Sequence, residues 1–311
     1  MSEVLHSQHR GPMSLTAIIL TFNEHLHIRR CLERLDGLAQ QIVVVDSGST
    51  DDTVEVAESL GAVVLHHPFI NHAMQLNWAL THAPIETDWV MRLDADEYLD
   101  AELSTALLAA LPAASAVVTS FEVCLLPIFW GQCIMHGGMQ PWLLRIWRKD
   151  FARCEERWMD EHMELLSGVA QRLPGHLVDH NLNTLSWWVD KHNRYASREV
   201  VDLLVMRKEN KSMPAGLRGQ TRLRRWLKVR LYARLPLGVR PFLYWLYRMV
   251  FRAGFLDGPR GMMFHTLQGL WYRLLVDGKV MEIEHTIRHQ GIDLPTAVRL
   301  RFGIELTSSQ D

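Results

Sequence analysis

The sequence predicts an α/β fold, with a mostly parallel central sheet flanked by helices and then a helical C-terminal region. Three observations carry this. From residue 15 to about 96, short β-branched runs alternate with helix-period segments, a rhythm that folds into a parallel sheet covered on both faces. Three of these strands end in acidic or amide residues, at the carboxyl edge where open α/β sheets bind ligands. Beyond Leu177 the alternation stops and long helical, basic stretches take over.

Taken in order, residues 1–13 read as a loose polar extension, because MSEVLHSQHRGPM lacks the apolar run of a secretory signal; export is not expected. Strands are predicted at 15–22, 42–46, 62–66 and 89–94. Between the first two, Ile28, Cys31, Leu32 and Leu35 share one helical stripe, and Ser49 and Asp51 offer N-caps to a helix over 52–60. Asp100 caps the run AELSTALLAALP, followed by strands at 116–124 and about 142–147. Residues 183–207 form one long helix. The resulting division is an extension at 1–13, an α/β domain at 14–182 and a helical, basic region at 183–311. The α/β domain itself divides into a ligand-binding half at 14–100 and a second half at 101–182.

Composition narrows the function. With 311 residues, 48% hydrophobic and 22% charged, the chain can bury a full core. Its 33 Lys+Arg against 35 Asp+Glu leave a net charge of -2, so nothing pulls the whole chain toward nucleic acid. Four cysteines without a CxxC pair favour free thiols and a cytoplasmic setting. The two longest stretches free of acidic and basic side chains, 103–121 and 123–144, are broken by proline and polar residues, so neither is expected to span a bilayer.

The chemistry concentrates at the strand ends. The first strand ends in Thr21-Phe22-Asn23-Glu24, the second in VVVDSGSTDDT and the fourth in RLDADEYLD, which brings Asn23, Glu24, Asp46, Asp94 and Asp96 toward one rim. Two carboxylates spaced D-x-D can share a hard divalent cation, Mg²⁺ or Mn²⁺, that leaves positions for phosphate oxygens. Taken alone, Asp94, Asp96 and Asp100 read as helix caps and turn residues in preference to a site; the conjunction of three strand ends reverses that and favours the site. His66, His67 and His72, and His176 with Asp179 and His180, are too short of ligands for a closed zinc site and read as loop histidines.

These motifs together resemble family 2 inverting glycosyltransferases of the GT-A, Rossmann-like fold type, over roughly residues 14–185. Thr21-x-Asn23-Glu24, Asp46-Ser-Gly-Ser-Thr-Asp51 and Leu93-Asp94-Ala-Asp96-Glu97 carry the resemblance. His136-Gly137-Gly138, LLRIWR, Trp158-Met-Asp-Glu-His162 and Lys191-His-Asn-Arg-Tyr195 point to the branch that builds lipopolysaccharide core or related surface glycans. The resemblance implies a hexosyltransferase-type enzyme moving sugar from a nucleoside-diphosphate sugar to a lipid-linked saccharide. Thr21, Asn23, Glu24, Asp46, Ser47, Gln75 and Asp94 would line the donor site, and Asp94 and Asp96 would hold the metal. The base would be Glu161 or its neighbour Asp160, although Asp160-Glu161-His162 read alone is a solvated helix start. Ser47 stands where many members carry a second Asp, and Gln75-Leu76 where an Arg is common. UDP is favoured among donor nucleotides.

Between Glu209 and Asp257 there is no acid, and eleven bases run from Lys211 to Arg252 interleaved with Trp, Tyr and Phe. This 211–252 stretch fits an anionic membrane surface, placing the enzyme peripherally on the cytoplasmic face of the inner membrane; nucleic acid is not expected as a partner. Two rival readings are a sugar nucleotidyltransferase, which needs a glycine-rich loop that TFNEHLHIRR lacks, and a non-catalytic membrane-surface scaffold.

Overall fold

A computed structural model of the chain describes residues 14–155, 162–208 and 235–306. The chain divides into two compact units, one of residues up to 134 with 139–182, the other of 135–138 with residues from 183 onward.

The first unit starts from four parallel strands, β1 (Leu15–Thr21), β2 (Gln41–Asp46), β3 (Val63–His66) and β4 (Trp89–Asp94), side by side as β3-β2-β1-β4. Every residue of LTAIILT is buried, because successive side chains enter opposite cores. Leu15, Ala17 and Ile19 join Val44, Met91 and Leu93 on one face, and Ile18 and Leu20 join Val43, Val45 and Val90 on the other. The first face is covered by α1 (Ile28–Glu33), α2 (Thr53–Ser59) and α4 (Ala101–Ala113), through Ile28, Cys31, Leu32, Ala57, Leu103, Leu107 and Leu111. The second is covered by α3 (His72–His82) through Ala73, Leu76 and Ala79. Burying one such Leu is worth about 2 kcal/mol, so these stripes fix which way each helix faces.

Beyond β4 the sheet is mixed rather than mostly parallel. It continues β4-β8-β6-β11-β5, with β5 (Glu97–Leu99), β6 (Val118–Phe129), β8 (Trp142–Arg148) and β11 (Val169–Asp179); β8 runs antiparallel to both β4 and β6. The cause is local. From β6 the chain turns back through the short β7 (Gln132–Cys133) with no crossover helix, and a connection of that kind returns antiparallel. A two-stranded ladder of β9 (Ala152–Cys154) and β10 (Met163–Leu165) stands apart. Asp100 caps α4 through Leu103 N at 2.8 Å, and Asp51 accepts from Thr53 N at 3.1 Å. Ser49 does not cap that helix; it turns to Asp46 and to Asn23 N.

The second unit is helical: α5 (Leu185–Lys208), α6 (Val239–Leu246) followed by a π turn at Tyr247–Phe251, a 3₁₀ turn at Gly254–Asp257, α7 (Gly258–Thr266), a π turn at Leu267–Trp271, α8 (Tyr272–Gln290) and α9 (Leu294–Phe302). Ala196, Val200 and Leu204 of α5 meet Val276, Val280 and Ile283 of α8 and Ala297 and Val298 of α9 at helical spacing. Among the described residues no helix is long and apolar enough to cross a membrane. Of the eleven bases in 211–252, those from Lys211 to Arg234 lie outside the described residues, and two others are not available to an anionic surface. Arg240 is buried against Asp277, its Nε donating at 2.8 and 3.0 Å, and Arg248 is buried against His265, 2.8 Å from its Nδ1. Hydropathy alone hides this, since a base that finds a buried carboxylate or imidazole is held inside.

Candidate functional site

The sheet register brings the strand-end residues to one rim. Thr21 of β1 lies opposite Asp46 of β2, and Leu20 lies opposite Asp94 of β4. Asp46 and Asp94 therefore flank the end of β1, with backbones about 10 Å apart at the usual strand spacing.

Asp46 is buried and committed to its own turn. Its Oδ2 accepts from Gly48 N and Ser49 N, both at 2.8 Å, and its Oδ1 from Thr21 Oγ1 at 3.0 Å and Ser49 Oγ at 2.5 Å. The loop after β1 is laced to this turn. Asn23 N donates to Ser49 Oγ and Glu24 N to Thr53 Oγ1, each at 2.8 Å, and Asn23 Oδ1 accepts from Thr50 N at 2.8 Å. Asn23 takes φ 54°, a left-handed conformation that Asn tolerates and a β-branched residue does not. His27 is buried behind Glu24. It accepts from Leu182 N on Nε2 at 2.8 Å, so its proton is on Nδ1 and points to Glu24 Oε2 at 2.6 Å.

On the other side of Asp46, Ser47 Oγ accepts from Gln75 Nε2 at 3.0 Å. The same nitrogen donates to the His67 carbonyl at 3.1 Å, which fixes the amide orientation because a carbonyl only accepts. Gln75 Oε1 therefore takes the proton of His67 Nδ1 at 2.7 Å, and the His67 ring stacks on Trp78 at 4.3 Å. Leu76, by contrast, is fully buried in the core of the second sheet face.

Asp94 ends β4 and Asp96 lies in the turn to β5. The Asp94 side chain is one-third exposed and faces two guanidiniums, Arg92 at 3.4 Å and Arg145 at 3.6 Å. Behind it Glu97 is buried, accepting from Asp94 N at 2.9 Å and from Arg145 at 2.6 Å. Burial pushes the Glu97 carboxyl up to about 8, with the Asp94 charge adding to that and Arg145 opposing it. Asp96 Oδ2 accepts from Asn181 at 2.9 Å, while the Asp96 carbonyl takes Arg30 at 3.2 Å and His180 N at 3.0 Å. Asp94 and Asp96 together offer the oxygen donors a hard divalent cation takes, and Asp96 Oδ1 has no hydrogen bond among the described residues. His25, Asp51 and Asp52 also bring three ligand atoms within 4.8 Å of one another, but Asp51 is spent on Thr53 and His25.

The structure thus gathers Thr21, Asn23, Glu24, Asp46, Ser47, Asp94 and Asp96 at the strand ends and following loops of the first unit, with Gln75 of α3 reaching Ser47. Asp160 and Glu161 lie outside the described residues. Sequence reasoning assigned no role to Arg145, Glu97, Arg30, His27 or Asn181. The first two stood in view in LLRIWR and LDADE, yet their pairing follows only from β8 returning antiparallel beside β4.

Residues 16–152 match the family described as Glycosyl transferase family 2, so this stretch is a family 2 glycosyl transferase domain. The chain is 40% identical over 103 residues to an uncharacterized glycosyltransferase of Rickettsia bellii (strain RML369-C), covering 33% of this chain and 32% of that protein. It is 35% identical over 124 residues to the lipopolysaccharide core biosynthesis glycosyltransferase LpsC of Rhizobium meliloti (strain 1021), covering 38% and 44%. The matches thus span less than half the length of these relatives. Among solved structures, glucosyl-3-phosphoglycerate synthase from Mycobacterium tuberculosis with Mn²⁺ and UDP-glucose aligns at 16% identity and TM-score 0.39, covering 62% of this chain and 79% of that one.

Proposed function

We propose that this chain, which carries a family 2 glycosyl transferase domain, transfers a hexose from a nucleoside-diphosphate sugar to a lipid-linked saccharide, inverting the anomeric carbon. The observation that carries the reading is the gathering of Thr21, Asp46, Asp94 and Asp96 at one sheet rim inside the family 2 domain. Asp94 and Asp96 would hold Mg²⁺ or Mn²⁺, which supplies charge neutralisation for a departing diphosphate. The other roles belong to the chain's own groups. Asp46 shapes the 47–50 turn, Ser47 and Gln75 face the nucleoside, and Arg145 and Arg92 hold the Asp94 carboxylate at the turn. A base across the sugar from the diphosphate takes the acceptor proton, and the resemblance gives that role to Glu161, with Asp160 beside it. One in-line displacement then inverts the centre. The lipid-linked acceptor is supported by the likeness to LpsC, a lipopolysaccharide core biosynthesis glycosyltransferase, and a cytoplasmic-face, membrane-peripheral setting by the run of bases from Lys211 to Arg234 together with Arg252; Arg240 and Arg248 are held inside.

The test is thermal stabilisation of the purified chain by UDP, GDP, dTDP, ADP and CMP, with and without Mn²⁺, since a ligand that binds only the folded form raises the melting temperature. Stabilisation by one nucleoside diphosphate that depends on Mn²⁺ is expected, with UDP the first candidate. Asp96→Ala should lose the Mn²⁺ dependence and transfer while melting as the parent does, and Glu161→Gln should keep nucleotide binding without turnover. Stabilisation by none of the five would reject the reading.

A further inference from the structure

The C-terminal unit contains a helix built inside out. From α6 through the following π turn, the exposed positions are Val239, Phe242, Leu243, Leu246, Tyr247, Val250 and Phe251. Their spacing of three and one, repeated, is one continuous helical stripe, and it holds no charged group. Phe242 is 50% exposed, Val250 54% and Phe251 76%. The buried face of the same segment carries Arg240 and Arg248, engaged by Asp277 and His265. In a helix packed against water these two faces trade places, so water is not what the stripe is built to meet. The apolar surface does not end with the helix: Phe255 and Leu256 of the 3₁₀ turn, and Met262 and Met263 of α7, are exposed as well.

Charge identifies the occupant. Between Glu209 and Glu282 the sequence has two carboxylates, Asp257 and Asp277, and both are buried. Asp277 takes Arg240 and Gly238 N, and Asp257 takes His136 and His265. No acid of this stretch is turned outward, whereas Arg252 and Arg260 are exposed. A second copy of this chain would bring like charge against like charge. An anionic bilayer meets the cations with phosphates and the stripe with acyl chains. The stripe is thirteen residues long, about 20 Å at 1.5 Å per residue, against the ~30 Å of a hydrocarbon core, so the segment lies along one leaflet and does not cross it.

We infer that residues 239–256 form a monotopic insertion element, with Phe242, Leu243, Leu246, Phe251, Phe255 and Leu256 entering the acyl layer of an anionic membrane. This deepens the membrane-facing part of the proposed function, from charge attraction at the headgroups to apolar insertion below them. It does not depend on the glycosyl-transfer chemistry.

Vesicle co-sedimentation of the full chain tests it, using phosphatidylcholine vesicles with and without phosphatidylglycerol. The salt arms are about 0.1 M and about 1 M NaCl, between which the screening length falls from ~10 to ~3 Å. The parent chain is expected to remain on anionic vesicles at the higher salt. A triple variant, Phe242→Ser, Leu246→Ser and Phe251→Ser, should bind at least ~10-fold more weakly, since each buried apolar side chain contributes to partitioning. Its melting temperature and its Mn²⁺-dependent response to UDP should match the parent. Complete release of the parent by salt would overturn insertion in favour of surface charge alone, as would equal binding by the variant. A parent dimer that the variant dissociates, with no vesicle binding, would assign the stripe to self-association and overturn the proposal. Vesicle binding that is lost in the variant, in a chain that responds to no nucleotide, would sink the glycosyl-transfer reading and leave this one standing.

Discussion

Asp46 shows how a residue can be central to a site without reaching toward a ligand. Its two oxygens accept four hydrogen bonds from Thr21, Gly48 and Ser49, all within its own neighbourhood. Asn in its place has a single acceptor oxygen and would turn an NH₂ toward donors. Asp46→Asn is therefore expected to cost about 2–4 kcal/mol, combining lost charge-assisted bonds with buried donors left unmade. Ser49→Ala, which removes one of the four, should cost about 1 kcal/mol. Urea unfolding midpoints check both, and a variant at Asp46 as stable as the parent would make the carboxylate a ligand group and not the organiser of the turn. The same turn marks what the sequence reveals at this scale. That Asp46, Asp94 and Asp96 end strands follows from the β-branched runs before them. That Gln75 holds Ser47 while Leu76 packs into the core does not follow from composition, because both depend on the phase of α3 against the sheet.

At the scale of elements, the first four strands and their helices are legible because each repeats one period long enough to detect. The 12-residue β6 and the reversal into β8 are less so, since that register depends on pairing with strands distant in sequence. One joint in this half is unusually demanding. Gly175 in β11 has φ +87°, and a β-carbon there would sit 2.2 Å from Leu103 N and 2.7 Å from Asp100 Oδ1, the group that caps α4. The strand passes so close because Asp100 also holds His176, accepting from its N at 2.9 Å. Gly175→Ala is expected to destabilise by about 3 kcal/mol or more, through left-handed strain and a backbone clash together. Gly37→Ala is the control: φ is +71° but nothing lies within 4 Å, so strain alone should cost about 1 kcal/mol. The difference between their urea midpoints isolates the α4–β11 contact; equal losses would mean that the strand yields.

For the whole molecule, the net charge of -2 conceals how its titratable groups are distributed. Two histidines of the C-terminal unit are shifted below the ordinary imidazole value in the fold. His192, stacked on Trp188 with ring centroids 3.5 Å apart, is pushed down to about 4, chiefly by burial, with Lys191 adding to it. His265 is likewise lowered by burial and by Arg248, although Asp257 opposes that. In the first unit His180 is lowered by burial, Arg30 and His27. Each such group binds its proton more readily in the unfolded chain than in the folded one. Their stabilisation is complete above the ordinary histidine value near 6.5 and is lost as pH falls from there toward the folded value, which for His192 is about 4. Each proton taken up only on unfolding tilts stability by up to about 1.4 kcal/mol per pH unit. With two such groups in the C-terminal unit against one in the first, amide exchange over residues 183–208 and 235–306 is expected to quicken more steeply between about pH 6.5 and pH 4. His192→Gln can keep a donor toward the Trp188 carbonyl, which His192 Nδ1 contacts at 2.8 Å, but cannot titrate. It should therefore flatten that slope without changing exchange at neutral pH in the same proportion. If the variant and the parent lose protection in parallel as the pH drops, His192 is not the group that makes this unit acid-labile, and the proton must be entering elsewhere.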